Sequence, residues 1–196
     1  MLGKRTAKIS RKTNETSVSV ALNIDGGNID ISTGIGFFDH MLTALAVHSG
    51  FGLTIKTKGD LEVDGHHTVE DTAIVLGKAL KEALGDKTLI NRFGFSSIPM
   101  DEALAFASVD ISGREYLVFN ANFNEAKIGK FDSCLVEEFM RAFAFNAGLT
   151  LHINVLYGKN SHHIAEACFK VLAHALRQAT GLQENGKLLS SKGVLD

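Results

Sequence analysis

The sequence is short of proline and cysteine, carries no excess of either charge, and has no apolar run long enough to cross a bilayer. Its two cysteines, Cys134 and Cys168, both lie in apolar stretches. They are expected to be reduced, small core residues, with a disulfide between them the less favoured alternative. With 20 Lys+Arg against 22 Asp+Glu, nothing marks the chain as a general nucleic-acid binder or a membrane-surface binder. Met1 to Thr6 carries charge but no apolar core, so no secretory signal is expected and a cytoplasmic location is. A P-loop, a dinucleotide-binding fingerprint and a nucleophile elbow are all missing, which removes the familiar phosphate and triad routes. What remains is an ordinary globular composition, 45% hydrophobic and 21% charged over 196 residues, enough for one large domain or two small ones.

The chain repeats itself. Shifted by 96 residues, 66–85 falls on 162–181 with nine of twenty positions identical, among them both histidines and the glutamate of a His-His-x-x-Glu motif. The same shift lays Gly52-Leu53-Thr54 on Gly148-Leu149-Thr150. A repeat of half the chain predicts a duplicated domain. Alternation over 16–24 predicts a strand, turned by Asp25-Gly26-Gly27-Asn28, and 104–110 with 116–120 is its counterpart. Helices are expected near 37–49 and 132–147, strands over 51–58 and 149–157, and then the motif helices. Asp64 and Asn160 are placed to cap the motif helices, and Gly85 and Gly181 to stop them. These elements predict an α+β fold in which each half is a sheet covered on one face by two helices. The halves are read as 1–90 and 103–182, with 91–102, including the only proline (Pro99), as a link and 183–196 as a C-terminal arm.

The repeated motif carries the chemistry. His66-His67-Thr68-Val69-Glu70 and His162-His163-Ile164-Ala165-Glu166 keep the same three polar residues while the positions between them change. An exposed polar helix start gives no reason for that, whereas metal binding does. On a helix, each histidine of a pair can share a face with the glutamate three or four residues on. Adjacent residues point about 100° apart, so the two histidines of one pair should serve different ions or different roles. Two mixed sites follow as the expectation, each taking one histidine from each motif. His40 and Glu138 hold matching places in the preceding helices and are further ligand candidates. Imidazole mixed with carboxylate and no thiolate suits Mn²⁺, Fe²⁺, Zn²⁺ or Ni²⁺ and argues against a Cys-type structural zinc site. His48, His152 and His174 read as hydrogen-bonded core histidines.

Phe37-Phe38-Asp39-His40-Met41-Leu42, Asp64-Gly65-His66-His67-Thr68-Val69-Glu70-Asp71 and Asn160-Ser161-His162-His163-Ile164-Ala165-Glu166-Ala167 together resemble the imidazoleglycerol-phosphate dehydratase family. The segments 11–16, 91–94, 101–103 and 190–195 match it in order, so the resemblance spans nearly the whole chain. It implies duplicated half-domains of the ribosomal protein S5 domain 2-like type, two Mn²⁺ per active site, and a homo-oligomer of 24 subunits with sites between subunits. The implied metal ligands are His40, His66, His67, Glu70, Glu138, His162, His163 and Glu166. Arg92, Arg114, Ser190 and Lys192 would hold the substrate phosphate, Asp101 a substrate hydroxyl, and Glu15 and Lys170 would lie beside the reacting carbons. Glu138 departs from the histidine many members carry, and Ala44 from a glutamine.

The implied reaction is dehydration of D-erythro-imidazoleglycerol phosphate to imidazole acetol phosphate in histidine biosynthesis. Its lost proton is not next to a carbonyl. Held as a metal-bound imidazolate, the ring can expel the adjacent hydroxyl to a diazafulvene-like intermediate, and a base such as Glu15 then takes the acidified proton. A dinuclear metallohydrolase and a metal-storage protein are the competing readings. The first needs a carboxylate bridging ions about 3.5–4 Å apart, and the second needs closed coordination spheres.

Overall fold

The computed structural model of the chain describes residues 4–183 and 189–190. Its elements run β1 (Thr6–Lys12), β2 (Thr16–Asn23), β3 (Ile29–Ser32), α1 (Gly36–Ser49), β4 (Gly52–Gly59) and α2 (His66–Leu84). The second half runs β5 (Phe93–Met100), β6 (Ala103–Asp110), β7 (Tyr116–Asn120), the short β8 (Lys127–Ile128) and β9 (Phe131–Asp132), α3 (Leu135–Ala147), β10 (Thr150–Tyr157) and α4 (Ser161–Ala179). Two four-stranded sheets have matching orders, β1-β2-β4-β3 and β5-β6-β10-β7. In each, the last strand runs parallel to its neighbour and the other pairs are antiparallel.

Alternation decides which face of each sheet is covered. Thr16, Val18, Val20 and Leu22 of β2 are buried, as are Ala103, Ala105, Ala107 and Val109 of β6, while Ser17, Ser19 and Ser108 between them stay exposed. Against these faces lie the motif helices, α2 on the first sheet and α4 on the second. The other two helices cross over. Helix α1 of the first half packs on α4, and α3 of the second half packs on α2. Fully buried phenylalanines tie this layer together. Phe139 of α3 meets Phe38 of α1 at 5.6 Å between ring centroids and Phe169 of α4 at 4.9 Å.

Two glycines let a helix backbone come close. A Cβ on Gly77 of α2 would sit 2.7 Å from the Phe143 carbonyl oxygen of α3, and one on Gly94 of β5 only 1.9 Å from the Ala175 carbonyl oxygen of α4.

Several expectations are corrected. Residues 93–100 form the outer strand β5 rather than a link, and an outer strand tolerates Pro99, which has no N–H to donate. Residues 6–12 form the strand β1, which the expected elements do not include. Helix α3 begins at Leu135, not near 132, because the β8–β9 hairpin inserts before it, turning through Gly129 at φ 61°. Gly148 matches Gly50, as the two-residue difference that pairs His40 with Glu138 requires, and both are left-handed residues closing α1 and α3 through the same pair of backbone bonds. Helix α4 ends on Thr180, whose hydroxyl donates to the Leu176 carbonyl, so Gly181 lies past the stop. Cys134 is exposed rather than core, whereas Cys168 is fully buried and its thiol pKa is pushed up to about 12. His152 stands exposed on β10, while His48 and His174 face each other half-buried with ring nitrogens 3.3 Å apart.

Gly94→Ala and Gly77→Ala are each expected to lower unfolding free energy by about 1–3 kcal/mol or more, because backbone atoms rather than a flexible side chain must give way. Gly36→Ala, whose Cβ meets nothing within 4 Å, should stay within about 0.5 kcal/mol of the wild type in urea unfolding.

Candidate metal centre

Each metal-ligand candidate sits in the first two turns of a helix, and in α1, α2 and α4 local side-chain bonds fix the start. The Asp64 carboxylate accepts from the His66 amide at 2.7 Å, and the Asn160 side chain accepts from the His162 amide at 2.9 Å, so both expected caps are present. Ahead of α1, the Thr33 amide and hydroxyl donate to the Asp39 carboxylate at 2.8 and 2.6 Å, which orients the turn carrying His40.

Two clusters of convergent ligand atoms result. The first joins His40 of α1 to His162 and Glu166 of α4, and the second joins His66 and Glu70 of α2 to Glu138 of α3. In the first, Glu166 Oε2 lies 3.4 Å from His40 Nε2 and 3.3 Å from His162 Nε2. In the second, Glu70 Oε2 lies 3.9 Å from His66 Nε2. The candidate from each preceding helix therefore serves the motif of the other half, because α1 packs on α4 and α3 on α2.

The second histidine of each pair turns away. The two rings of a pair stand nearly perpendicular, at 88° for His66 and His67 and 76° for His162 and His163. His67 Nδ1 lies 3.0 Å from the Asp60 carboxylate, and its Nε2 faces Glu15 at 3.8 Å. His163 Nδ1 lies 2.6 Å from Glu102, and its Nε2 faces Asp101 at 3.5 Å. Hence the expected mixed sites, one histidine from each motif, do not form within the chain. Helices α2 and α4 carry their first histidines to different partners, His66 to Glu138 and His162 to His40.

Charges around the clusters are specific. The hydrogen bond to Asp60 raises the pKa of His67, and the bond to Glu102 raises that of His163. Glu102 itself is pushed down to about 2 by accepting from the Asn160 amide, His163 and the Lys159 amide. Burial alone would raise the Glu166 pKa, but Lys170, whose Nζ is 2.6 Å away, and His40 hold it below the usual carboxylate range. Arg141 of α3 bonds Glu138 and reaches Glu70 Oε1 at 3.2 Å, and the Glu138 bond raises the guanidinium pKa.

The candidates for phosphate binding lie elsewhere. The Arg92 amide donates to the Ala179 carbonyl at the far end of α4, roughly 20 Å along the helix from Glu166. Its guanidinium forks onto Asp110 at 2.7 and 3.1 Å, and Arg114 reaches the same carboxylate at 3.9 Å. Arg92 also donates to the Leu189 carbonyl, which brings Ser190 to this end. Lys192 lies outside the described residues. Ala44 is buried in the core face of α1. No carboxylate is shared by the two clusters within the described residues.

A family model described as imidazoleglycerol-phosphate dehydratase matches residues 33–176. The chain belongs to this family. It is 54% identical over 193 residues to the imidazoleglycerol-phosphate dehydratase of Acetivibrio thermocellus, covering 97% of this chain and 99% of that protein. To that of Clostridium botulinum strain Langeland it is 57% identical over 192 residues, covering 96% and 97%. The crystal structure of the Staphylococcus aureus N315 family member superposes with a TM-score of 0.84 at 43% identity, covering 91% of this chain and 99% of that one. The Pyrococcus furiosus member, crystallised in complex with (S)-C348, gives 0.84 at 41% identity, covering 95% and 100%.

Within this family member, three site residues escaped the sequence reading. Asp60 sits in a loop with no periodicity to mark it. Glu102 had been noted only as part of a matching segment. Arg141, three residues after Glu138 on one helix, did carry a signal, the i,i+3 pairing of opposite charges.

Asp60 and Glu102 hold the Nδ1 side of His67 and His163 and leave Nε2 to bind. Asp60→Asn and Glu102→Gln should each weaken metal retention against a chelator by about 10–100-fold. Unchanged retention would show that these two histidines are not ligands.

Proposed function

We propose that this chain is a metal-dependent hydro-lyase that converts D-erythro-imidazoleglycerol phosphate to imidazole acetol phosphate in histidine biosynthesis. Family membership supports the reaction. The observation that carries the site is the pair of convergent clusters, His40–His162–Glu166 and His66–Glu70–Glu138, with His67 and His163 turned away from them.

The donor set fits a divalent metal. Each cluster mixes imidazole and carboxylate, has no thiolate, and offers three ligands from this chain, leaving room for others. Two Mn²⁺ per active site are the proposed occupants. When bound, they would supply Lewis acidity and a template that holds the substrate's imidazole ring as its anion.

The chain's own residues do the rest. Glu15, on the exposed β1–β2 turn beside His67, takes the proton from the second side-chain carbon. That carbon becomes acidic once the hydroxyl beside the ring has left as water, with the proton given up by the ring, in a diazafulvene-like stage; the enol that remains then tautomerises to the ketone. Lys170, midway along α4, reaches back to Glu166, and Asp101, in the β5–β6 turn, faces His163; there the reacting carbons and a substrate hydroxyl would be held. Arg92, Arg114, Ser190 and Lys192 take the phosphate.

Because Arg92 and the first cluster sit at opposite ends of α4, one chain's phosphate residues would serve a site whose metal ligands come from a neighbour. Exposed Phe93, Phe95, Tyr116, Leu156 and Tyr157 supply apolar surface for such contacts. A 24-subunit assembly with sites between subunits, half-domains of the ribosomal protein S5 domain 2-like type and a cytoplasmic location complete the proposal. Among the described residues, no helix is long and apolar enough to cross a membrane.

Chelation should abolish dehydration of imidazoleglycerol phosphate and Mn²⁺ should restore it; an inactive Mn²⁺-loaded protein would overturn the reading. Glu15→Gln is expected to lower kcat by about 10²–10⁴-fold with metal content unchanged. Full turnover in that variant would take the base role away from Glu15.

A further inference from the structure

The two clusters are not equivalent. The first has two imidazoles and one carboxylate, and its lysine is kept to one side: Lys170 holds Glu166 Oε1, while Oε2 is the oxygen turned to His40 and His162. The second has one imidazole and two carboxylates. Here the cation lies on the ligand atoms themselves. Arg141 Nη2 bonds Glu138 Oε1 and Glu70 Oε1, and Nε reaches Glu138 Oε2 at 3.3 Å, so one guanidinium spans both carboxylates and both helices. Only Glu70 Oε2, on the His66 side, is outside its reach.

A guanidinium cannot leave by losing its proton, since it stays charged at every working pH. It can leave only by swinging away, and the Arg141 side chain is 47% exposed, with solvent to swing into. We propose that Arg141 is a built-in counter-ion of the His66–Glu70–Glu138 cluster that a metal ion must displace, so that the His40–His162–Glu166 cluster fills first. This rests on the metal reading above. In the metal-free chain, Arg141 keeps the Glu70 and Glu138 carboxylates from repelling each other and holds α3 against α2. On loading, the same charge competes with the ion. The price is a weaker second site.

The sign of the effect separates this from a purely structural role. If Arg141 only pinned the carboxylates in place, removing it would scatter the ligands and weaken binding. If it competes, removing it strengthens binding. The test is a Mn²⁺ titration of chelator-stripped, full-length protein, with free Mn²⁺ read by its paramagnetic resonance signal. Wild type should show two classes of site. Arg141→Met should tighten the weaker class on the order of ten-fold, leave the tighter class unchanged, and lose the gain when combined with Glu138→Gln. Metal-free Arg141→Met should also melt lower than wild type, with a larger rise on adding Mn²⁺. Equal or weaker binding in Arg141→Met, or tightening of both classes alike, would overturn the inference and leave the metal reading standing. No Mn²⁺ uptake by wild type would overturn both.

Discussion

Two side chains adjacent on an α-helix point about 100° apart, and the site depends on that constraint. It forces each His-His pair to face two ways. The first histidine, one turn before the glutamate, turns toward the crossing helix, so His66 meets Glu138 and His162 meets His40. The second turns away, onto a carboxylate that fixes its ring, Asp60 for His67 and Glu102 for His163. A chain built this way gathers two clusters of imidazole and carboxylate groups and leaves two histidines aimed elsewhere.

Helix packing supplies what the motif alone does not. Because α1 lies on α4 and α3 on α2, each half lends its extra ligand to the other half's motif. The phenylalanines at 38, 139 and 169 hold that crossing, and Gly77 lets α2 and α3 approach to contact. The ligand positions are thus a property of the core as much as of the surface. The likeness between the halves is also incomplete: an imidazole at position 40 answers to a carboxylate at 138, and lysine 170 beside one cluster answers to arginine 141 beside the other.

Much of this was legible in the sequence. The repeat, the central strands and the motif helices all announced themselves by period, and Asp64 and Asn160 by their place before a helix. The outer strands were harder to see. In β1 and β5 only alternate residues touch the core, and their neighbours are polar or, in β5, exposed phenylalanines, which blurs the alternation. Local pattern could not say which extra ligand serves which motif, since helix crossing is a tertiary choice. Nor could it show His152 on the outer face of β10, or the partnership of Asp60 with His67 seven residues on. The divergence of each pair, by contrast, followed from helix geometry alone and needed no tertiary knowledge.

The central proposal is that each chain holds two clusters of metal ligands, which a neighbouring chain would complete through His67 and His163. Anomalous diffraction from crystals of the Mn²⁺-loaded protein tests it most directly. The account predicts two peaks per chain, one within the His40–His162–Glu166 cluster and one within the His66–Glu70–Glu138 cluster. Each should have a histidine Nε2 from a neighbouring chain within about 2.0–2.3 Å, an ordinary metal–nitrogen distance. Ions ligated by one chain alone, or peaks away from both clusters, would contradict it.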